Sequence, residues 1–175
     1  ARFYDVTGGA VNIDGVDVRE LSLAKLRSLL GYVPQKSVLF SGDIASNIDF
    51  AGEGLSPAQL EQAARVAQAE EFIREKEDGY HSPISEGGTN VSGGQKQRLS
   101  IARAIARDPK IYLFDDCFSA LDYRTDAALR RALNKAARGA TVIIVAQRIS
   151  TVLHADQIIV LDDGAVAGIG RHREL

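Results

Sequence analysis

The sequence holds a single cysteine, Cys117, so no internal disulfide framework can brace it. It lacks any apolar stretch long enough to span a bilayer and any signal-peptide pattern, so the expectation is a cytosolic domain or a piece of a larger chain. A dominant charge is missing as well. The formal net charge of -2 gives no bulk attraction to nucleic acid or to an anionic membrane, and nucleic-acid binding becomes the less favoured reading. No internal repeat and no low-complexity segment interrupts the chain. What remains is ordinary soluble composition, 175 residues with 45% hydrophobic and 25% charged, enough for one globular domain.

The order of elements can be read from periodicity and turn chemistry. Arg2-Phe-Tyr-Asp5 followed by Val6-Thr-Gly-Gly9 predicts the last turn of a helix with a glycine stop. Gly9 to Val18 alternates apolar and polar residues around Asp14-Gly15, a strong hairpin signal. A helix is expected over Leu21 to Leu30 and a short strand over Gly31 to Gln35. From Lys36 to Asp108 the period turns mostly helical, as in an inserted subdomain. Within it Ser56-Pro57-Ala58-Gln59 is a capping box, with Leu60, Ala64 and Ala67 as the buried stripe. Pro83 to Thr89 reads as a loop. Ser92 or Gly93 starts a helix that turns Leu99, Ala102, Ile105 and Ala106 inward and ends at Asp108-Pro109. Strand-like Ile111 to Phe114, helical Leu121 to Ala137, and strand-like Thr141 to Ala146 and Gln157 to Leu161 complete a β-α-β-α-β alternation. That alternation predicts an α/β fold with a mostly parallel sheet and ligands at the carboxyl ends of its strands.

Chemistry concentrates in two strings. Val91-Ser-Gly-Gly-Gln-Lys-Gln-Arg98 opens a helix with a glycine turn, which presents backbone amides and a positive dipole end to an anion. Ile111-Tyr-Leu-Phe-Asp-Asp116 is an apolar run ending in two carboxylates. A carboxylate closing a buried strand, as Asp115 does, either binds Mg²⁺ or caps a neighbouring helix, and cation binding is favoured by the clean apolar run before it. Asp116 beside it can orient or deprotonate an attacking water. Gln35 can ligand the same metal or water through its amide oxygen, or be an ordinary solvated glutamine; Gln147, at another strand end, is similar. Asp122 reads first as a helix N-cap. Cys117 reads as a small residue filling a packed turn rather than as a nucleophile. Together the strings imply phosphate chemistry, yet the phosphate-cradling string Gly-x-x-x-x-Gly-Lys followed by Ser or Thr does not occur.

These segments, in this order from Arg2 to Leu175, resemble the nucleotide-binding domain of ATP-binding cassette (ABC) transporters. The resemblance implies a RecA-like P-loop NTPase core over residues 1–35 and 110–175, with the Q-loop and helical subdomain over 36–109. It also implies that the P-loop, its lysine and the adenine-stacking aromatic precede Ala1, so that the fragment by itself is inactive and binds ATP weakly or not at all. Gln35 matches the Q-loop glutamine that contacts Mg²⁺ and senses the membrane domain. Ser92, Gly93, Gly94 and Gln95 match the signature motif that completes a partner's ATP site, with Val91 where leucine is usual. Asp115 matches the Walker B aspartate, and Ser119, Ala120, Leu121 and Asp122 match the D-loop. Ile84-Ser-Glu-Gly-Gly88 resembles the exporter segment in which Glu86 would touch the coupling helices of the membrane domain.

Two positions depart from the family pattern. Asp116 stands where the catalytic glutamate is expected and is one methylene shorter. Gln147 stands where the switch histidine is expected and cannot carry an imidazolium charge. The implied protein is an ATP- and Mg²⁺-dependent exporter motor on the cytoplasmic face of a membrane. Its own hydrolytic site is slow, and it pairs with a second nucleotide-binding domain, as in a heterodimer, and with transmembrane domains. The rivals are a soluble ABC ATPase of DNA maintenance or translation and a regulatory subunit that never hydrolyses its nucleotide.

Overall fold

The computed structural model describes residues 1–175. Asp14-Gly15 turns the chain as expected: β1 (Asn12–Ile13) pairs antiparallel with β2 (Val16–Asp17). Both turn residues take positive φ, 49° and 82°, the left-handed pair that a two-residue type I′ turn needs. The helix end expected before the hairpin is absent, and residues 1–11 contain no helix. Arg2 itself has φ 51°. Its guanidinium pairs with Asp5 at 2.8 Å and donates to the carbonyls of Val18 and Leu21. Side-chain bonding to the far side of the hairpin has therefore replaced the helical ladder.

Ser22 caps α1 (Leu23–Ser28) by accepting from the Lys25 amide, and the chain then enters β3 (Leu30–Val33), which stops before Pro34. The helical stretch that follows contains a ladder the loop reading of Pro83 to Thr89 missed. There β4 (Gly42–Asp43) pairs with β5 (Pro83–Ile84) across α2 (Ile44–Ile48), α3 (Pro57–Val66) and α4 (Glu70–Arg74). The Ser56 capping box forms, Ala64 and Ala67 are buried, and Leu60 is half-buried. Ser92 caps the long helix α5 (Gly93–Ala106), whose Leu99, Ala102 and Ile105 enter the core.

Next come β6 (Ile111–Asp115), α6 (Tyr123–Ala136), β7 (Thr141–Val145) and the four-residue α7 (Ile149–Val152). The strands β3, β6 and β7 form a parallel sheet in that order, with Val33 opposite Phe114 and Asp115 opposite Val145. The register brings all three carboxyl ends to one edge of the sheet. The expected fourth participant does not join them. β8 (Ile158–Asp162) pairs antiparallel with β9 (Ala165–Gly170), because Asp163-Gly164, at φ 45° and 78°, folds the strand back on its successor. That Asp-Gly pair carries the same local signal as Asp14-Gly15, and it was the cue to β9.

One apolar core joins sheet and helices. On the sheet, Tyr112 and Phe114 stack at 5.8 Å and Phe118 leans on Phe114 at 5.3 Å. Arg103 of α5 is largely buried without a carboxylate partner. It donates to the Asn47 carbonyl at 2.7 Å, the Asn47 side chain at 3.0 Å and the Val38 carbonyl at 3.0 Å, under the Phe40 and Phe50 rings. Burial pushes its pKa down to about 10, so it stays charged near neutrality and splints segment 38–50 onto α5.

Candidate functional site

The site starts from a backbone event at the end of β6. Asp116 takes φ 41°, and its amide still donates to the Val145 carbonyl at 2.9 Å, which extends the β6–β7 ladder by one residue. The left-handed twist ends the strand. Two amides from the neighbouring strand ends reach the half-buried carboxylate. Gln147 Nε2 donates to Asp116 Oδ2 at 3.1 Å, and Gln35 Nε2 approaches the same oxygen at 3.4 Å. Two residues, 81 and 31 positions from Asp116 in the chain, thus meet at one of its carboxylate oxygens, solely because β3, β6 and β7 are parallel and in register.

Asp115 is half-buried beside this group, with the Tyr32 hydroxyl 3.5 Å from its Oδ2. Burial first, and the Asp115 charge second, push the Tyr32 phenol up, so Tyr32 remains a neutral donor. No group of three His, Cys, Asp or Glu side chains gathers here, so the protein does not form a complete metal cage. Two carboxylates and the oxygen of the Gln35 amide are hard ligands, and Mg²⁺ ordinarily completes such a partial set with water and phosphate oxygens. The residues present fit that ion.

A second feature lies at the start of α5. Ser92 Oγ accepts from the Gln95 amide at 3.2 Å, and Gln95 Oε1 accepts from the Ser92 amide at 3.1 Å. Ser92 and Gly93 are exposed. A side chain at Gly93 would meet nothing within 4 Å, whereas one at Gly94 would come 3.8 Å from the Ala120 carbonyl. The helix start therefore sits beside the turn 119–122 and is not hydrogen-bonded to Asp116. In that turn Ser119 Oγ donates back to the Asp116 carbonyl at 2.8 Å, and Leu121 is buried. Asp122 caps α6, accepting from the Arg124 and Thr125 amides and from Thr125 Oγ1 at 2.7 Å. These bonds, the Thr125 hydroxyl foremost, hold its carboxyl below the usual range. Glu86 precedes this helix start, exposed in a short 3₁₀ turn pinned where Lys96 Nζ donates to the Gly87 carbonyl at 2.6 Å.

Cys117 is buried directly after the acidic pair, and desolvation pushes its thiol up to about 12. Thiol exceeds thiolate roughly 10⁴-fold at pH 8, and the side chain is shielded besides. The native chain should resist iodoacetamide at that pH and label only once denaturant exposes it. Rapid native labelling, followed by mass spectrometry, would contradict the packed-turn reading.

The match to known families completes the picture. The ABC transporter family model matches residues 1–119, more than half of the sequence. This chain belongs to the ABC transporter family. The ABC domain is 48% identical over 177 residues to an uncharacterized ABC transporter ATP-binding protein of Mycobacterium tuberculosis, covering 99% of this chain and 30% of that protein. It is 45% identical to the ATP-dependent lipid A-core flippase of Vibrio vulnificus over 175 residues, covering 99% of this chain and 30% of the flippase. A solved bacterial Atm1-family ABC exporter with ATP bound superposes with a TM-score of 0.95 at 40% identity, covering 99% of this chain and 30% of that one. The domain thus spans about a third of the length of these relatives. No helix in it is long and apolar enough to cross a membrane.

Sequence reasoning missed three residues of the region. Tyr32 carries no motif signal. Arg148 is visible only as the neighbour of Gln147, yet it donates to the Ser119 carbonyl at 3.0 Å and lies 5.4 Å over the Tyr123 ring. Arg130 is legible as the distal half of an i,i+4 pair with Asp126.

Proposed function

We propose that this domain is the ATP-hydrolysing motor of an ABC exporter, held at the cytoplasmic face of the membrane by transmembrane domains and paired with a second nucleotide-binding domain. The observation that carries the reading is the meeting of Gln35, Asp116 and Gln147 at the carboxyl edge of the sheet. In this reading residues 1–35 and 110–175 are the RecA-like core, and 36–109 are the Q-loop and helical subdomain. ATP is the substrate. Asp115 and Gln35 would hold Mg²⁺, which when bound offsets the negative charge of the phosphates.

The chain's own residues supply the remaining chemistry. Asp116 accepts a proton from the attacking water, and Gln147 donates a hydrogen bond toward the terminal phosphate. Both do so poorly. The Asp116 carboxylate is one methylene short, and Gln147 spends a donor on Asp116 and has no positive charge to offer. A slow site fits this geometry. Ser92 and Gly93, exposed, with the half-buried Gly94 and Gln95 at the N-terminal end of a 14-residue helix, complete the ATP site of the partner domain in a heterodimer. Ser119, Ala120, Leu121 and Asp122 lie beside them as the crossing loop, and Glu86 and Gln35 relay to the membrane domain.

The exporter assignment is tested by proximity. In the full-length protein carrying Cys117→Ala, a Glu86→Cys variant should form a bifunctional-reagent crosslink to a cytoplasmic loop of the transmembrane domain, with a yield that changes when ATP is added. An exposed cysteine at 86 that reacts with maleimide but never crosslinks would sink the assignment.

A further inference from the structure

The segment that follows Gln147 cannot hold its own position. α7 has only four residues, and its first residue is preceded by Arg148, which provides no side-chain cap. An isolated helix of this length is unstable in water, so its place must come from tertiary anchors. The strongest anchor lies on α6, outside every motif described above. Arg130 Nη1 donates to the Ser150 carbonyl at 2.7 Å. Its Nε and Nη2 grip both oxygens of Asp126, at 2.9 and 3.0 Å, and Asp126 is only 2% exposed. The bidentate pair fixes the guanidinium plane and leaves one donor aimed at the switch segment.

We infer that Arg130, oriented by Asp126, is a positioning residue for Gln147. It clamps the backbone three residues downstream of Gln147, while Arg148 ties the next residue of the same segment to the Ser119 carbonyl. Ser119 in turn bonds to the Asp116 carbonyl, so both partners of the Gln147–Asp116 contact are referred to α6 and the turn before it. Reaching groups must be placed to within about 1 Å for transfer chemistry, and a misplacement of that size costs roughly 10²-fold in rate. The clamp supplies that placement. The inference rests on the reading of Gln147 and Asp116 as the hydrolytic pair, although the clamp itself is a structural arrangement that can be tested separately.

Arg130→Met alone leaves a buried carboxylate without its partner and risks unfolding the domain. The informative variant is therefore Asp126→Asn with Arg130→Met, which removes both charges and the donor to Ser150 together. Made in the full-length protein, it should melt close to the parent. Deuterium uptake at the amides of residues 148–152 should rise about tenfold, as expected for the loss of a hydrogen bond from a charged donor. In a background where the site has been activated by Asp116→Glu and Gln147→His, single-turnover hydrolysis should fall roughly 10²-fold with the KM for ATP unchanged. A merely structural pair would leave that split untouched. Unaltered exchange at 148–152 would overturn the inference whatever the ATPase rate, and raised exchange with full turnover would overturn it as well. If the activated parent itself shows no turnover, the hydrolytic reading fails, and exchange alone decides the clamp.

Discussion

Gly93→Asp in the assembled transporter should remove nearly all ATP turnover while leaving the domain folded. The position is exposed and at negative φ, and an added side chain meets nothing within 4 Å, so the chain itself has room for aspartate. A carboxylate in the first turn of a helix is mildly favourable for the helix. The damage is confined to what approaches from outside. If this helix start receives the terminal phosphate of the nucleotide held by the partner domain, a negative charge about 4 Å away opposes it by roughly 4 kcal/mol at an effective dielectric of 20. That is a loss on the order of 10³-fold. Phosphate release by the full complex should collapse, while the melting temperature of the variant stays at or slightly above that of the parent. Ser92→Ala provides the contrast. It breaks the capping box and costs about 1 kcal/mol of stability in addition to its effect on turnover. Unchanged phosphate release in the Gly93 variant would place the fast site elsewhere.

The second large effect runs in the opposite direction. Asp116→Glu together with Gln147→His should raise hydrolysis at this domain's own site by roughly 10²-fold, since positional errors near 1 Å carry penalties of that order. The two side chains touch, with Gln147 Nε2 3.1 Å from Asp116 Oδ2, so their effects should not add. Glutamate alone extends the carboxylate toward the water but still faces an uncharged donor. Histidine alone supplies a titratable ring beside a carboxylate that remains too short. Single-turnover measurement with radiolabelled ATP, in a complex whose partner site is inactivated, isolates the relevant rate. No gain in the double variant would mean that the limitation at this site is not the pair.

Much of the site was legible in the sequence because its parts are locally encoded. The Ser92 cap forms within four residues, Asp115-Asp116 ends an apolar run, and Asp122 caps the helix that begins beside it. The convergence of Gln35 and Gln147 on one oxygen was foreseen only as a shared location at strand ends, since local pattern does not encode which strands pair or in what register. Where local signals compete, the linear reading failed. Residues 1–11 carry a helix-stop pattern, but the Arg2 guanidinium finds carbonyls beyond the hairpin and the helix is lost. β8 carries a parallel-strand pattern, but Asp163-Gly164 closes a hairpin with β9 before any longer-range pairing is made.

The sequence by itself determined the caps, the two Asp-Gly turns, the helical stripes and the identity of the acidic pair, since each depends on contacts within a few residues. It also set the length of the Asp116 side chain and the lack of charge on Gln147, which are matters of covalent structure. The tertiary structure alone decided that Gln35 and Gln147 meet Asp116, that Arg103 splints segment 38–50 to α5, and that Asp126 holds Arg130 against the Ser150 carbonyl. These contacts join positions 20 to 81 residues apart, and they exist because parallel strands in register and a shared apolar core bring distant backbone together.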